Sequence, residues 1–180
     1  MSVSYMKKFI EDNVGLIENN EFNRLYSIID ELWVSSLTQL LYSVGIDPLP
    51  YLDVVPKEFA YRCTLSDVYI PSNITDIYAK AFQRCKCFTV VIEEGCKNIY
   101  HSAFAGCDNL VTVSLPSTLT TIDEVAFFGS TSLHSIKFNG TFNEWCAIYK
   151  GNSWLSRPKQ EEVILECTDG RYRCNGEELE

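Results

Sequence analysis

Long apolar runs are missing from this chain: nowhere do its 180 residues approach the roughly 18 consecutive apolar residues that a membrane-spanning helix needs. The opening "MSVSYMKKFIEDNVGLIENNEF" carries two lysines, but Glu11 and Asp12 arrive before any apolar segment of the roughly 7–15 residues typical of a signal peptide. The expectation is a cytoplasmic protein with no membrane contact. Positive charge is also in short supply, with 15 Lys and Arg against 24 Asp and Glu and a net charge of −9. Nucleic-acid affinity rests on cations that neutralise phosphates, so direct DNA or RNA binding is excluded and a basic protein partner is favoured. The only histidines are His101 and His134, and G-x-S-x-G, Walker, H-E-x-x-H and C-x-x-C motifs are all absent. No catalytic residue, metal or cofactor is assigned, and the chain reads as a non-enzyme.

What is abundant is repetition. "AFQRC" at 81–85 returns as "AFAGC" at 103–107 and "AFFGS" at 126–130. Aligned on this phrase, Leu65, Cys87, Leu110 and Leu133 form one column and Val68, Val90, Val113 and Ile136 a second. Ile70, Ile92, Leu115 and Phe138 form a third, followed by Ile74, Cys96 and Leu119, and by Ile77, Ile99 and Ile122. The V-x-I alternation predicts a strand with one buried face, the Pro or Glu after it ends the strand, and A-F-x-x-C predicts a short helical turn beneath. One such unit cannot bury its apolar side alone; stacked units can, which predicts a solenoid over residues 53–140.

Solenoid ends need covers. Phe22, Leu25, Tyr26, Ile29, Leu32, Trp33, Leu37, Leu40, Leu41 and Val44 follow helical spacing, with Gly45 at the C-cap position. A shorter helix with Met6, Phe9, Ile10, Val14 and Ile17 precedes it, broken around "ENNE". Residues 1–52 are thus an N-terminal helical cap ending in the proline-bearing linker "GIDPLPYLDVVP". Residues 141–180 are a C-terminal cap of helix plus hairpin, its turn centred on Asp169-Gly170, which would set Cys167 opposite Tyr172 and Cys174 opposite Leu165. The fold class is α/β: a short repeat solenoid between two caps.

The unit "L-x-x-V-x-I-P-x-x-I-x-x-I-x-x-x-A-F-x-x-C" resembles the BspA-like class of bacterial leucine-rich repeats, and the tail "FNGTFNEWCAIYKGNSW…LECTDG" resembles the end of many members. The helical start is similar in style to small intracellular leucine-rich proteins of phages and other mobile elements. The resemblance implies a binding scaffold. Many members are large, secreted and surface-attached, from which this chain departs in its size and helical start.

Eight cysteines call for a reading of their own. Cys63, Cys85 and Cys107 share a column that continues with Ser130. Coils stacked roughly 5 Å apart make a bridge between them conceivable; a ladder of buried thiols is the other reading, and the sequence leaves their oxidation state open. Cys85, Cys87, Cys96, His101 and Cys107 could supply zinc ligands, but Cys87 and Cys96 occupy core columns and the spacing is wrong for a site.

The candidate binding surface is therefore outward-facing. Alternation turns Tyr69 and Val91 outward in one row and Asp67 in the next, while Tyr78, Tyr100 and Asp123 form a row beside the inward isoleucines. Aromatics near acids suit a partner rich in Arg or Lys, although strand tyrosines can equally fill space between rows. A weaker candidate is the acidic face of the helical cap, with Glu21, Asp30 and Glu31. The functional expectation is a protein-interaction scaffold, in its sharpest form an anti-CRISPR-like phage or mobile-element inhibitor that covers the basic surface of a host nucleic-acid-targeting defence protein. The alternatives are a structural or adhesive module of a bacterial surface or virion, and a small metal-dependent nuclease using Asp123 or Glu124.

Overall fold

The structure, a computed structural model, describes residues 3–30, 33–156 and 162–179. Successive coils of the repeat lie on one another in register. Each coil starts with a four-residue strand, and β2 (Asp67–Ile70), β4 (Thr89–Ile92), β6 (Thr112–Leu115) and β8 (Ser135–Phe138) pair in parallel, with Val68, Val90, Val113 and Ile136 aligned and buried. After a turn comes a two-residue strand, and β1 (Val54–Val55), β3 (Asp76–Ile77), β5 (Asn98–Ile99), β7 (Thr121–Ile122) and β9 (Tyr149–Lys150) make a second parallel sheet. The β-branched pairs at aligned positions fill the pleated interior from coil to coil.

The Ala-Phe phrase is not the helical turn its spacing suggests. Ala81 N–H donates to Tyr78 O and Cys85 N–H to Phe82 O within the coil, while Phe82 and Arg84 donate to Ala103 O and Ala105 O of the next coil, both at 2.8 Å. Lys80 and Arg84, each at φ 59°, occupy the left-handed corners that two successive type II turns require. A helix would spend its N–H groups along its own axis. Here alternate N–H groups go to the neighbour, and the hydrogen-bond ladder continues around the whole coil.

The phenylalanines of this phrase form the spine. Phe82, Phe104 and Phe127 stack face on face at 5.2 Å between centroids, with interplanar angles of 3° and 6°. Toward the N-terminus Phe59 meets Phe82 edge-on at 5.8 Å, and Tyr26 and Tyr42 of the helical cap cover Phe59 at 5.7 and 6.4 Å. At the other end Phe127 meets Trp154 edge-on at 6.3 Å, and Trp154 meets Trp145.

The helical cap departs from the spacing-based expectation. In place of one long helix there are α3 (Phe22–Ile28) and α4 (Val34–Ser43), separated where Ile29 turns extended, φ −84° and ψ 142°. The break lets the two helices lie against each other, joined by the 2.7 Å hydrogen bond between Tyr26 Oη and Thr38 Oγ1, so that both contribute apolar side chains to the end coil. Gly45 (φ 81°) is the expected C-cap, in a Schellman arrangement with Ile46 N–H on Leu41 O and Gly45 N–H on Tyr42 O. Before them, α1 (Val3–Asp12) and α2 (Val14–Glu18) give Phe9, Ile10 and Ile17 to the core, whereas Val14 is exposed; the side chain of Met6 lies outside the described residues.

The C-terminal cap begins with α5 (Phe142–Ala147), started by a capping box in which Thr141 N–H donates to Glu144 and Glu144 N–H to Thr141 Oγ1. The coil then resumes. Ser153 (φ 53°) takes the left-handed corner, and Phe127 N–H donates to Trp154 O at 2.7 Å, so that Trp154-Leu155 stands where Ala-Phe stood in earlier coils. β10 (Ile164–Cys167) adds in parallel to β8, and β11 (Gly170–Arg173) and β12 (Glu178–Leu179) follow antiparallel. The hairpin turn is Thr168-Asp169 and not Asp169-Gly170, so Cys167 faces Gly170 and Leu165 faces Tyr172. This register is held from outside the hairpin: Asp169 accepts the Phe142 N–H at 2.9 Å and Tyr172 stacks on Phe142 at 4.0 Å. Among the described residues no helix is long and apolar enough to cross a membrane.

Phe104, fully buried between two parallel rings, tests the spine. Replacing it by alanine should lower unfolding stability by about 3–5 kcal/mol, as core aromatic truncations do. Urea unfolding followed by tryptophan fluorescence measures this, and a loss below about 1 kcal/mol would show that the stack contributes little.

Candidate functional site

The structure divides the six strand and turn candidates between two surfaces. Asp67, Tyr69 and Val91 lie on the outer face of the long-strand sheet, where Tyr69 pairs with Val91 in register and is 53% exposed. Its hydroxyl donates to Glu93, which also accepts the Ser72 N–H, so the ring is held by its neighbour coil. The row continues through Ser114 and Lys137 to Glu166 and Arg171, turning from aromatic to charged.

Tyr78, Tyr100 and Asp123 follow the short strands instead. The two rings lie 5.2 Å apart, with Tyr78 40% exposed and Tyr100 half-buried. Burial, then the carboxylate of Asp76, raises the Tyr100 hydroxyl above its ordinary value. Asp76 itself accepts from Asn98 at 2.7 Å and Thr75 at 2.6 Å, and Asp123 accepts the Glu124 N–H. Tyr78 also borders an apolar cleft of about 290 Å³ between the helical cap and the first coil, lined by Tyr26, Ile29, Val34, Leu52 and Pro56.

On the helical cap, Glu21 is paired with Arg24 at 3.2 Å, and Asp30 sits exposed in the connection after α3; Glu31 lies outside the described residues.

The cysteine column has a structural role. All eight cysteines are free, and Cys63, Cys85 and Cys107 are buried. The Cys107 thiol donates to Phe82 O at 3.1 Å, and one coil on the Ser130 hydroxyl donates to Phe104 O at 2.9 Å, so serine replaces cysteine because both supply the same hydrogen bond. Burial pushes the Cys96 thiol up to about 12, and the hydrogen bond to Cys107 together with burial does the same for Cys87. Thiols held protonated in this way are poor nucleophiles and poor ligands. Among the described residues no three His, Cys, Asp or Glu side chains are grouped to hold a metal ion.

A third surface went unread in the sequence. At the Ala-Phe corner Arg62, Arg84 and Lys86 line an open notch of about 500 Å³ with Gly106 and Asp108. The signal was available: Arg62 and Arg84 stand 22 residues apart, each directly before a cysteine of the repeat.

A two-sheet coil with a laddered turn, an aromatic spine and fixed rows of surface side chains defines a leucine-rich-repeat solenoid. The chain belongs to the BspA type leucine-rich repeat family, six copies of whose repeat match residues 53–149. Members of this class are typically binding scaffolds and not enzymes. Among solved structures it is similar to a leucine-rich cell surface protein from Faecalibacterium prausnitzii A2-165, at 28% identity and a TM-score of 0.36 over 52% of this chain and 32% of that one. The chain therefore spans about a third of that protein. No curated protein matches.

The turn between the two sheets carries one carboxylate with a defined electrostatic role. Burial alone would raise Glu94, but hydrogen bonds from Ser117 N–H and Oγ, Asn139 and Thr118 N–H hold it below its ordinary 4.5. A carboxylate depressed in the folded state adds stability above its unfolded pKa and loses it as pH falls through the folded one. Glu94→Gln should thus lower Tm at pH 7, with the difference closing as pH falls below about 4.5. Melting curves across this range check it, and a difference that persists at acid pH would show that the charge is not what matters.

Proposed function

We propose that the chain is a non-catalytic interaction scaffold whose short-strand side meets a cationic protein partner. The observation that carries this is the Tyr78–Tyr100 pair, set between the carboxylates of Asp76 and Asp123 and bordering an apolar cleft. Tyrosines supply contact area at small entropic cost, and acids beside them favour Arg and Lys. The net charge of −9 adds a long-range field that draws in basic surfaces.

In its finer form the partner is a nucleic-acid-handling defence protein met in a bacterial cytoplasm, its basic channel covered by this acidic chain encoded on a phage or other mobile element. The charge balance and the style of the helical start support that reading.

Affinity capture from a bacterial lysate at low and high salt, with mass-spectrometric identification, tests it. A basic nucleic-acid-binding protein should be retained at low salt and released near 1 M, where screening extends only about 3 Å. Tyr78→Ala should weaken that complex about ten-fold or more while leaving Tm unchanged; Tyr69→Ala, on the other sheet, should not. Recovery of only the chain itself or of cell-envelope material would replace this reading with the structural or adhesive one.

A further inference from the structure

Several surface columns of this solenoid are matched in charge or hydrogen bonding from coil to coil. Lys80 pairs with Glu58 at 3.8 Å, Lys86 with Asp108 at 3.7 Å, Asn98 with Asp76, and Ser117 with Glu94. The Arg62–Arg84 column does not follow this pattern. Arg62 and Arg84 follow each other on adjacent coils, linked by the ladder bond from Arg62 N–H to Gln83 O. Both are exposed, and among the described residues neither has a carboxylate within ion-pair reach, although the chain holds 24 of them. The Arg62 guanidinium lies over the ring of Tyr61, 5.2 Å from its centroid. Like charges in register on neighbouring strands repel.

The fold does not ask for arginine there. The column takes left-handed backbone, φ 57° at Arg62 and 59° at Arg84, and continues with Gly106 (67°) and Gly129 (76°). Glycine adopts this conformation without strain, whereas a side chain is strained in it. Two coils thus meet the backbone requirement with glycine, and the other two carry a cation in spite of it. The glycines also leave room beside the cations: a Cβ on Gly106 would come within 3.3 Å of Arg84 Cγ. Phe128, whose carbonyl accepts the Gly106 N–H and whose side chain is 49% exposed, stands at the glycine end.

We infer that this corner is a second binding site, for an acidic peptide segment of a partner protein, with carboxylates on Arg62 and Arg84 and an apolar side chain toward Phe128. Adjacent guanidiniums donate paired, charge-assisted hydrogen bonds to carboxylates, and an acid seated between them relieves their mutual repulsion. The overall negative charge does not forbid this. At physiological salt the field of distant acids is damped over about 8 Å, while groups in contact are screened far less. The site is separate from the tyrosine pair on the short-strand side and opposite to it in the charge it selects.

Fluorescence anisotropy of the full chain with a rhodamine-labelled oligoglutamate carrying a central leucine tests the inference, with the glutamine counterpart of the peptide as control. The acidic peptide should bind, weaken as salt rises, and lose about ten-fold or more in affinity to the double variant Arg62→Gly, Arg84→Gly. That variant should keep or raise Tm, since glycine fits the left-handed corner; Arg62→Gln, Arg84→Gln repeats the charge loss without altering backbone freedom. Lys97→Gln, an exposed cation elsewhere, should leave the affinity as it was. Equal binding of both peptides, or of the parent and double variant, would overturn the site. So would full displacement of the peptide by millimolar inorganic phosphate, which would mark a free-anion site only, or self-association abolished by the same variant, which would assign the corner to a second copy of the chain.

Discussion

The constraint on which the rest depends is that each coil gives about half of its turn N–H groups to the next one. Phe82 to Ala103, Phe104 to Ala126 and Phe127 to Trp154 are the same bond repeated, and they hold the Phe rings at one spacing. A stack built this way cannot simply stop, because its last coil would leave a row of backbone groups and an aromatic ring facing water. The two ends solve this differently. At the N-terminus Tyr26 and Tyr42 of a helical pair cover Phe59, while at the C-terminus two tryptophans turn edge-on to close the spine.

The repeat was legible in the sequence because every interior coil sees the same environment above and below, so the same residue type recurs at each column. Val68, Val90, Val113 and Ile136 could be assigned inward from spacing alone, and all are buried. Outward rows follow by alternation, which is why Tyr69 and Val91 were found together. Where the environment is unique, spacing loses its force. Apolar residues from Phe22 to Leu41 satisfy a helical period whether the helix is continuous or folded back at Ile29, and only the need to cover Phe59 from two directions selects the broken form. The hairpin register depends on Asp169 reaching the start of α5, a contact across 27 residues that no local turn preference encodes.

The candidate site was legible in part for a related reason. Spacing names the residues in a row but not which rows share a surface, and the coil bends between its two strands. Tyr69 lies in a long strand and Tyr78, nine positions on in sequence, just past a short strand of the other sheet, so one expected surface is two. The cysteine column shows the same limit from the other side. Its period was plain, but the reason that serine serves at Ser130 is the carbonyl of Phe104 one coil away, visible only once the coils are stacked.

Net charge and available charge are different quantities in this molecule. Asp76, Glu93, Glu94 and Asp123 all accept hydrogen bonds from neighbouring residues or coils, so much of the acidity that defines the composition already serves to fasten turns. Such carboxylates still contribute to the field felt by an approaching partner, but to bind it directly they must share or surrender a bond. The negative charge therefore bears on the rate and salt dependence of encounter more than on the lifetime of a complex. In the proposed complexes lifetime falls to side chains that, among the described residues, make no hydrogen bond or ion pair of their own: Tyr78 beside the apolar cleft, and the guanidiniums of the Ala-Phe corner. A repeat fold makes such groups conspicuous, because every other member of a column shows what the scaffold itself requires at that position.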